Sequence, residues 1–222
     1  MGTLYLVRHG QASLGSAHYD QLSSLGRQQG ARLGQYFREQ GIGIDAVLHG
    51  TLRRQRQTWE AIAQGAGWQV QAQVRDGLDE YHSSAIIRTV HPEPLEPPSS
   101  PETVRHYFRL LREGLLQWAA GNAQPEGMPT FAAFAQGVSN VLLEVREQHK
   151  GNVLVVSSGG PIAMAVGLVL GAPPPAIIEM NLRIRNTAVS ELVFTPRRHS
   201  LFTFNTLAHL DGAQHESWRT YA

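Results

Sequence analysis

An apolar run, Leu4 to Val7, leads without a turn into Arg8, His9 and Gly10. A permanent cation, an imidazole capable of nucleophilic attack and a glycine at the end of a buried strand read as one corner of a site. Further groups fall just beyond runs of the same kind: Arg54 near the start of a helical stretch, Glu80 after a third strand, and Ser158, Gly159 and Gly160 opening an apolar helix. Two arginines facing a helix N-terminus, with its unsatisfied N–H groups, make a site for a dianion, most economically a phosphate. A neutral imidazole beside it can attack phosphorus once its second nitrogen is held by a hydrogen bond that fixes the tautomer. Neighbouring arginines depress its pKa, and an acid such as Glu80, if its own pKa is raised, protonates the departing alkoxide. That chemistry calls for no metal and no cofactor. The sequence has no HExxH helix, no carboxylate-rich calcium loop and no ligands at zinc-finger spacing.

These groups converge only if the strands that end at them lie side by side, since open α/β sheets bind ligands beyond the carboxyl ends of their strands. Thr3 to Val7 reads as a central strand, and Ser23 or Ser24 caps a helix running to about Gln40 with Gly41 as its stop. Ile44 to His49 is a second strand, Leu52 to Gln64 a second helix ending at Gly65, and Trp68 to Val74 alternates like a third strand. Asn152 to Ser157 returns as a strand, the apolar helix extends through Leu170, and Thr187 to Phe194 with Leu201 to Asn205 resembles an antiparallel hairpin. The alternation predicts a three-layer α/β/α fold with a mostly parallel central sheet. From Ser83 to about Lys150 a proline cluster (Pro92, Pro94, Pro97, Pro98, Pro101) precedes two helical stretches, Pro101 to Ala120 and Thr130 to Gln148. This reads as a helical, cap-like insertion over the active-site end of a single domain spanning 1–222, an ordinary crossover being the plainer alternative.

Composition removes several classes of function. A chain of 222 residues with 42% hydrophobic content can bury a sizeable core. Its 19 basic against 18 acidic residues leave a net charge of +1, and no polybasic run suits nucleic acid or an anionic membrane. Cysteine is absent, which rules out disulfides and thiol catalysis and fits a reducing compartment, so a cytoplasmic location is expected. The first apolar stretch ends at Arg8, too soon for a signal peptide, and Pro161 to Leu170 falls short of the ~20 residues that span a bilayer. GxxxxGK[ST] is missing, so a P-loop nucleotide hydrolase is excluded.

Ordered blocks along the chain resemble those of the histidine phosphatase superfamily, the phosphoglycerate-mutase-like proteins. Leu6-Val7-Arg8-His9-Gly10-Gln11 is similar to the family signature, and Leu22-Ser23-Ser24-Leu25-Gly26-Arg27-Gln28-Gln29 to its LTxxGxxQ helix start. Leu52-Arg53-Arg54-Gln55-Arg56-Gln57-Thr58 resembles its SPLxRAxQT block, Leu78-Asp79-Glu80 its LxE, and Val155-Val156-Ser157-Ser158-Gly159-Gly160 its VVSHGG. The resemblance implies His9 as the phosphoryl-accepting nucleophile, Arg8 and Arg54 as the phosphate clamp, and Glu80 as the proton donor. Asp79 is the alternative acid. Ser158 and Gly159 complete the phosphate site.

One block departs from the pattern: the family's second histidine falls on Ser158. Serine keeps one hydrogen-bond donor and can cap the following helix, but loses a potential positive charge. Losing such a donor outright costs about 10²- to 10³-fold in rate. His49 or His82 is expected to compensate if either leans into the gap. Gln11 and Ser13 are possible ligand contacts, and Tyr81, His82, Arg88 and the proline cluster are candidates for setting the pocket. The tail from Leu207 to Ala222, with Trp218 and Tyr221, is placed to cover the mouth. The favoured reading is a metal-independent phosphomonoesterase acting on a small phosphorylated substrate through a phosphohistidine. A mutase-type phosphotransferase and a phosphate-binding module with weak catalysis stay open, and the sequence leaves substrate and oligomeric state undetermined.

Overall fold

The computed structural model describes residues 1–12, 20–95 and 100–221 of the chain. The possible contact at Ser13, and Pro97 and Pro98 of the proline cluster, lie outside the described residues. The core is a six-stranded sheet in the order β3-β2-β4-β1-β5-β6. Strand β1 (Gly2–Arg8) lies at its centre, paired in parallel with β4 (Gly151–Ser157) and antiparallel with β5 (Val189–Thr195). Strands β2 (Ala46–His49) and β3 (Ala72–Val74) extend the parallel half, and β6 (Arg198–Thr206) closes the other edge as a hairpin with β5.

Both faces of the central strands are buried, which explains their unbroken apolar runs. Side chains alternate across the pleat: Leu4 and Leu6 of β1 join Val153 and Val155 of β4 on one face, while Tyr5 and Val7 join Leu154 and Val156 on the other. Helices α1 (Ser24–Glu39) and α2 (Arg53–Ala66) cover the second face. Helices α5 (Phe131–Gln148) and α6 (Gly159–Leu170) cover the first, which completes the three layers. Ser23 caps α1 as expected, its side chain accepting from the Gly26 N–H. Among the described residues, no helix is long and apolar enough to cross a membrane.

Several boundaries differ from the sequence reading. The helix placed at Leu52 to Gln64 continues through Gly65 to Ala66, and the left-handed residue that stops it is Gly67, at φ 76°. Gly65 is instead a contact point, where a Cβ would strike the backbone of Ala31 in α1. The third strand shrinks to Ala72–Val74 because Trp68 turns inward, its ring stacking on Phe37 at 5.6 Å. Two helices went unforeseen: α3 (Ser83–Arg88), and α7 (Pro174–Asn181), whose prolines start the helix where its N–H groups would lack partners anyway.

Within the stretch from 83 to 150, α5 belongs to the sheet layer, with Val138, Val141, Leu142 and Val145 in the main core. Helices α3 and α4 (Pro101–Ala119) form a separate cluster with α7 around Trp118, Leu115, Ile86 and Ile178. Phe131 and Phe134 join the two clusters, and Tyr81 packs against the second.

Candidate active site

Parallel pairing aligns Arg8 with Ser157, so His9 and Ser158 leave the sheet side by side at the ends of β1 and β4. The His9 N–H donates to the Ser157 carbonyl at 2.8 Å. The His9 ring is buried, its Nδ1 2.7 Å from the Gly10 carbonyl and its Nε2 3.2 Å from Nε of Arg54. A carbonyl accepts only and a guanidinium donates only, so Nδ1 carries the hydrogen and Nε2 holds the lone pair. Burial, then the charges of Arg54 and Arg8, holds the imidazole well below its usual pKa, so it is neutral near pH 7.

The loop that carries this ring is fixed from several sides. Thr58 of α2 accepts the Gly10 N–H at 3.0 Å and donates to the Arg54 carbonyl, while Asn186 Nδ2 donates to the His9 carbonyl. Gln11, considered as a ligand contact, is bound within the fold, its N–H on Gln29 Oε1 and its side chain accepting from Ser23. Arg54, in the first turn of α2, also meets Asp20: Nη1 lies 2.9 Å from Oδ1, and the same carboxylate accepts the N–H groups of Arg53 and Arg54. Arg8 donates through Nη1 to the carbonyls of Ile184 and Tyr221. The tail therefore reaches the site, secured by Gln29 Nε2 donating to Trp218 O and Thr220 Oγ1 and by reciprocal bonds between Thr220 and Asn186.

Glu80 follows a short 3-10 turn, Asp76–Leu78, and its carboxylate accepts from the Gly160 N–H at 3.0 and 3.2 Å and from the Tyr81 N–H at 3.3 Å. Burial raises its pKa, against opposing pulls from the Gly160 N–H, Arg54, Arg8 and the Tyr81 N–H. The same two guanidinium groups thus act on His9 and on Glu80. A side chain at Gly160 would collide with Glu80 Oε1 and the Tyr81 ring, so only glycine permits this approach. Asp79 faces away, accepting from Thr51 N and Oγ1, which leaves Glu80 as the acid in the cluster.

Ser158 is fully buried at the N-cap position of α6, yet its hydroxyl does not cap the helix. It accepts from Gln55 Nε2 at 3.0 Å, and the carboxylate of Glu80 takes the place at the helix start that the serine was expected to fill. Gly159 sits in that first turn beside Asn181. His49 is buried, with Nδ1 on the Gly50 carbonyl at 2.6 Å, and Gln55, not His49, meets Ser158. His82 and Arg88 are exposed at the two ends of α3, whereas Tyr81 is drawn into the fold, its hydroxyl accepting from Asn181 at 2.7 Å. Gln55, Asp20 and Asn186 escaped the sequence reading. Only Gln55 left a trace there, as a long polar residue at the alanine of the block that carries Arg54. Among the described residues, no group of three or more His, Cys, Asp or Glu side chains is placed to hold a metal ion.

Comparison with known proteins identifies relatives along most of the chain. The chain is 28% identical over 197 residues to the probable phosphoglycerate mutase GpmB of Erwinia tasmaniensis, covering 85% of this chain and 83% of that one. The structure of an alpha-ribazole phosphatase from Shigella flexneri superposes with a TM-score of 0.66 at 20% identity, covering 92% and 96% of the two chains. That of a phosphoserine phosphatase from Entamoeba histolytica gives 0.67 at 18% identity, covering 95% and 100%. Those two likenesses establish the fold, and the family model for branch 1 of the histidine phosphatase superfamily matches residues 4–207, nearly the whole span from β1 to the end of the hairpin. With its arginine-histidine-glycine corner at the end of β1 and that match across the sheet, the chain belongs to the histidine phosphatase superfamily, branch 1.

Proposed function

We propose that the protein is a metal-independent phosphomonoesterase that forms a phosphohistidine on His9. The observation that carries this reading is the His9 ring itself, neutral, with Nδ1 on a carbonyl and the Nε2 lone pair turned toward Arg54. Nε2 attacks phosphorus, the bond from phosphorus to the ester oxygen breaks, and Glu80 gives its proton to that oxygen so that the alcohol departs. Arg54 and Arg8 neutralise the phosphoryl oxygens. Glu80, now a carboxylate, takes a proton from water as the water oxygen attacks phosphorus. The phosphorus–nitrogen bond breaks, phosphate leaves, and His9 and Glu80 return to their starting forms. Helices α3 and α4 serve as a cap beside Tyr81, and the substrate is a small phosphate monoester.

A phosphotransferase reading has one observation of its own, the Tyr221 carbonyl on Arg8, because a tail closed over the site keeps water from the phosphohistidine. Both readings are tested by offering small phosphomonoesters with a chelator present. Release of inorganic phosphate is expected, together with loss of more than about a thousandfold in His9→Ala, the nucleophile being removed. Turnover that survives His9→Ala, or that needs added metal, would overturn the mechanism, and transfer of phosphate between hydroxyls without net release would select the phosphotransferase.

A further inference from the structure

Gln55 follows Arg54 in the first turn of α2, and its side chain is fully buried. Its amide nitrogen has two hydrogens and two acceptors, the Leu78 carbonyl at 2.9 Å and Ser158 Oγ at 3.0 Å. The Leu78 carbonyl can only accept, so Nε2 and not Oε1 must face it, and the orientation of the amide is fixed. Ser157 Oγ also donates to the Leu78 carbonyl, at 2.7 Å, which uses both lone pairs of that oxygen. Every hydrogen in this small network is then assigned except that of Ser158. Its oxygen receives an N–H from α2, so its own hydrogen turns elsewhere, and among the described residues no group accepts it.

Ser158 follows the strand residue paired with Arg8, so that hydroxyl stands at the edge of the sheet where His9 stands. We propose that Gln55 is a positioning residue, which orients the Ser158 hydroxyl to donate a hydrogen bond to the phosphoryl group carried by His9. The proposal rests on the phosphohistidine reading above. Two departures from the family's blocks thereby touch each other: a glutamine stands where the block has alanine, and it reaches the serine that stands where the block has histidine. The long amide fills the space before the short side chain. Both groups are uncharged, so the donor they form does not titrate, as an imidazole there would.

The test is a double-mutant cycle of Gln55→Met, Ser158→Ala and the pair, read in two ways: kcat with p-nitrophenyl phosphate, and affinity for orthovanadate by titration calorimetry. Ser158→Ala is expected to lower kcat about a hundredfold, the scale of a lost oxyanion donor. Gln55→Met is expected to lower it about tenfold, the scale of one hydrogen bond, with KM little changed. In the Ser158→Ala background Gln55→Met should change neither quantity, whereas independent losses in the two variants would overturn the proposal. A purely structural glutamine would lower the melting temperature and add its loss to that of the serine.

Should Gln55→Met melt before assay, the exchange Gln55→Ala with Ser158→His decides the matter. Activity above that of Ser158→Ala supports the pairing, and activity at or below it overturns the pairing. If the wild type shows no turnover dependent on His9, the phosphohistidine reading fails by itself, because the orthovanadate cycle still reads the coupling between Gln55 and Ser158 without turnover.

Discussion

Burial acts on His9 and Glu80 in opposite senses, since each resists its charged form: the imidazole releases its proton more readily and the carboxyl keeps it longer. In the proposed mechanism the reacting form has His9 neutral and Glu80 protonated. kcat/KM should therefore fall on the alkaline side as Glu80 ionises and on the acid side as His9 takes up a proton. Glu80→Gln should remove the alkaline limb. It should cost about 10²- to 10⁴-fold with alkyl phosphates and far less with p-nitrophenyl phosphate, whose leaving group departs without help. An alkaline limb that persists in Glu80→Gln would assign that ionisation to another group. Arg8 and His9 were legible in the sequence because an apolar run ends just before them, and Arg54 and Glu80 because of their places in blocks that resemble the family's. Gln55 was not, because in Arg53-Arg54-Gln55-Arg56-Gln57 nothing tells a buried polar residue from a solvated one until the inward face of α2 is known. The directions in which His49 and Asp79 turn were not legible either, because spacing along a chain does not say which way a side chain points.

Helices α1 and α2 meet along a seam of glycines, and α2 carries Arg54 in its first turn. A Cβ at Gly34 would run into the Ile62 carbonyl and lie 2.7 Å from the Ala66 nitrogen, and one at Gly30 would lie 2.9 Å from the Ala61 methyl. Gly34→Ala is expected to destabilise the protein by about 1–3 kcal/mol, the cost of overpacking, and to lower turnover as α2 shifts outward. Urea unfolding with a parallel assay checks both, and unchanged stability would show that the seam yields. The first helix was legible from its cap at Ser23, and the structure adds caps at Ser100 and Thr130 for α4 and α5. The seam was not, because glycines inside α1 and α2 look like breakers until the partner helix is placed against them. α7 went unforeseen, and the length of β3 depended on where Trp68 found its ring partner.

At the scale of the molecule, a further buried imidazole lies beside α1, its ring 6.4 Å from that of Tyr36. His209 lies in a 3-10 turn, Ala208–Leu210, with Nε2 3.0 Å from Thr187 Oγ1, and burial pushes its pKa down to about 3. The unfolded chain takes up that proton near pH 6.5. Between those values the unfolded state binds more protons, so stability present above pH ~6.5 is lost as pH falls toward 3. His199, held at about 4 by burial and then by Arg146, adds to the same slope. The urea midpoint should fall between pH 7 and pH 5, and His209→Gln should flatten that fall. An equal fall in the variant would place the acid sensitivity elsewhere.

The bond between the Tyr221 carbonyl and Arg8 spans 213 positions of sequence. During synthesis Arg8 and His9 emerge early, but the carbonyl that steadies the arginine, and the Thr220 that ties that segment to Asn186, are made only after the hairpin. Under the proposed mechanism a nascent chain therefore carries its nucleophile, His9, long before the contacts that hold Arg8 are made.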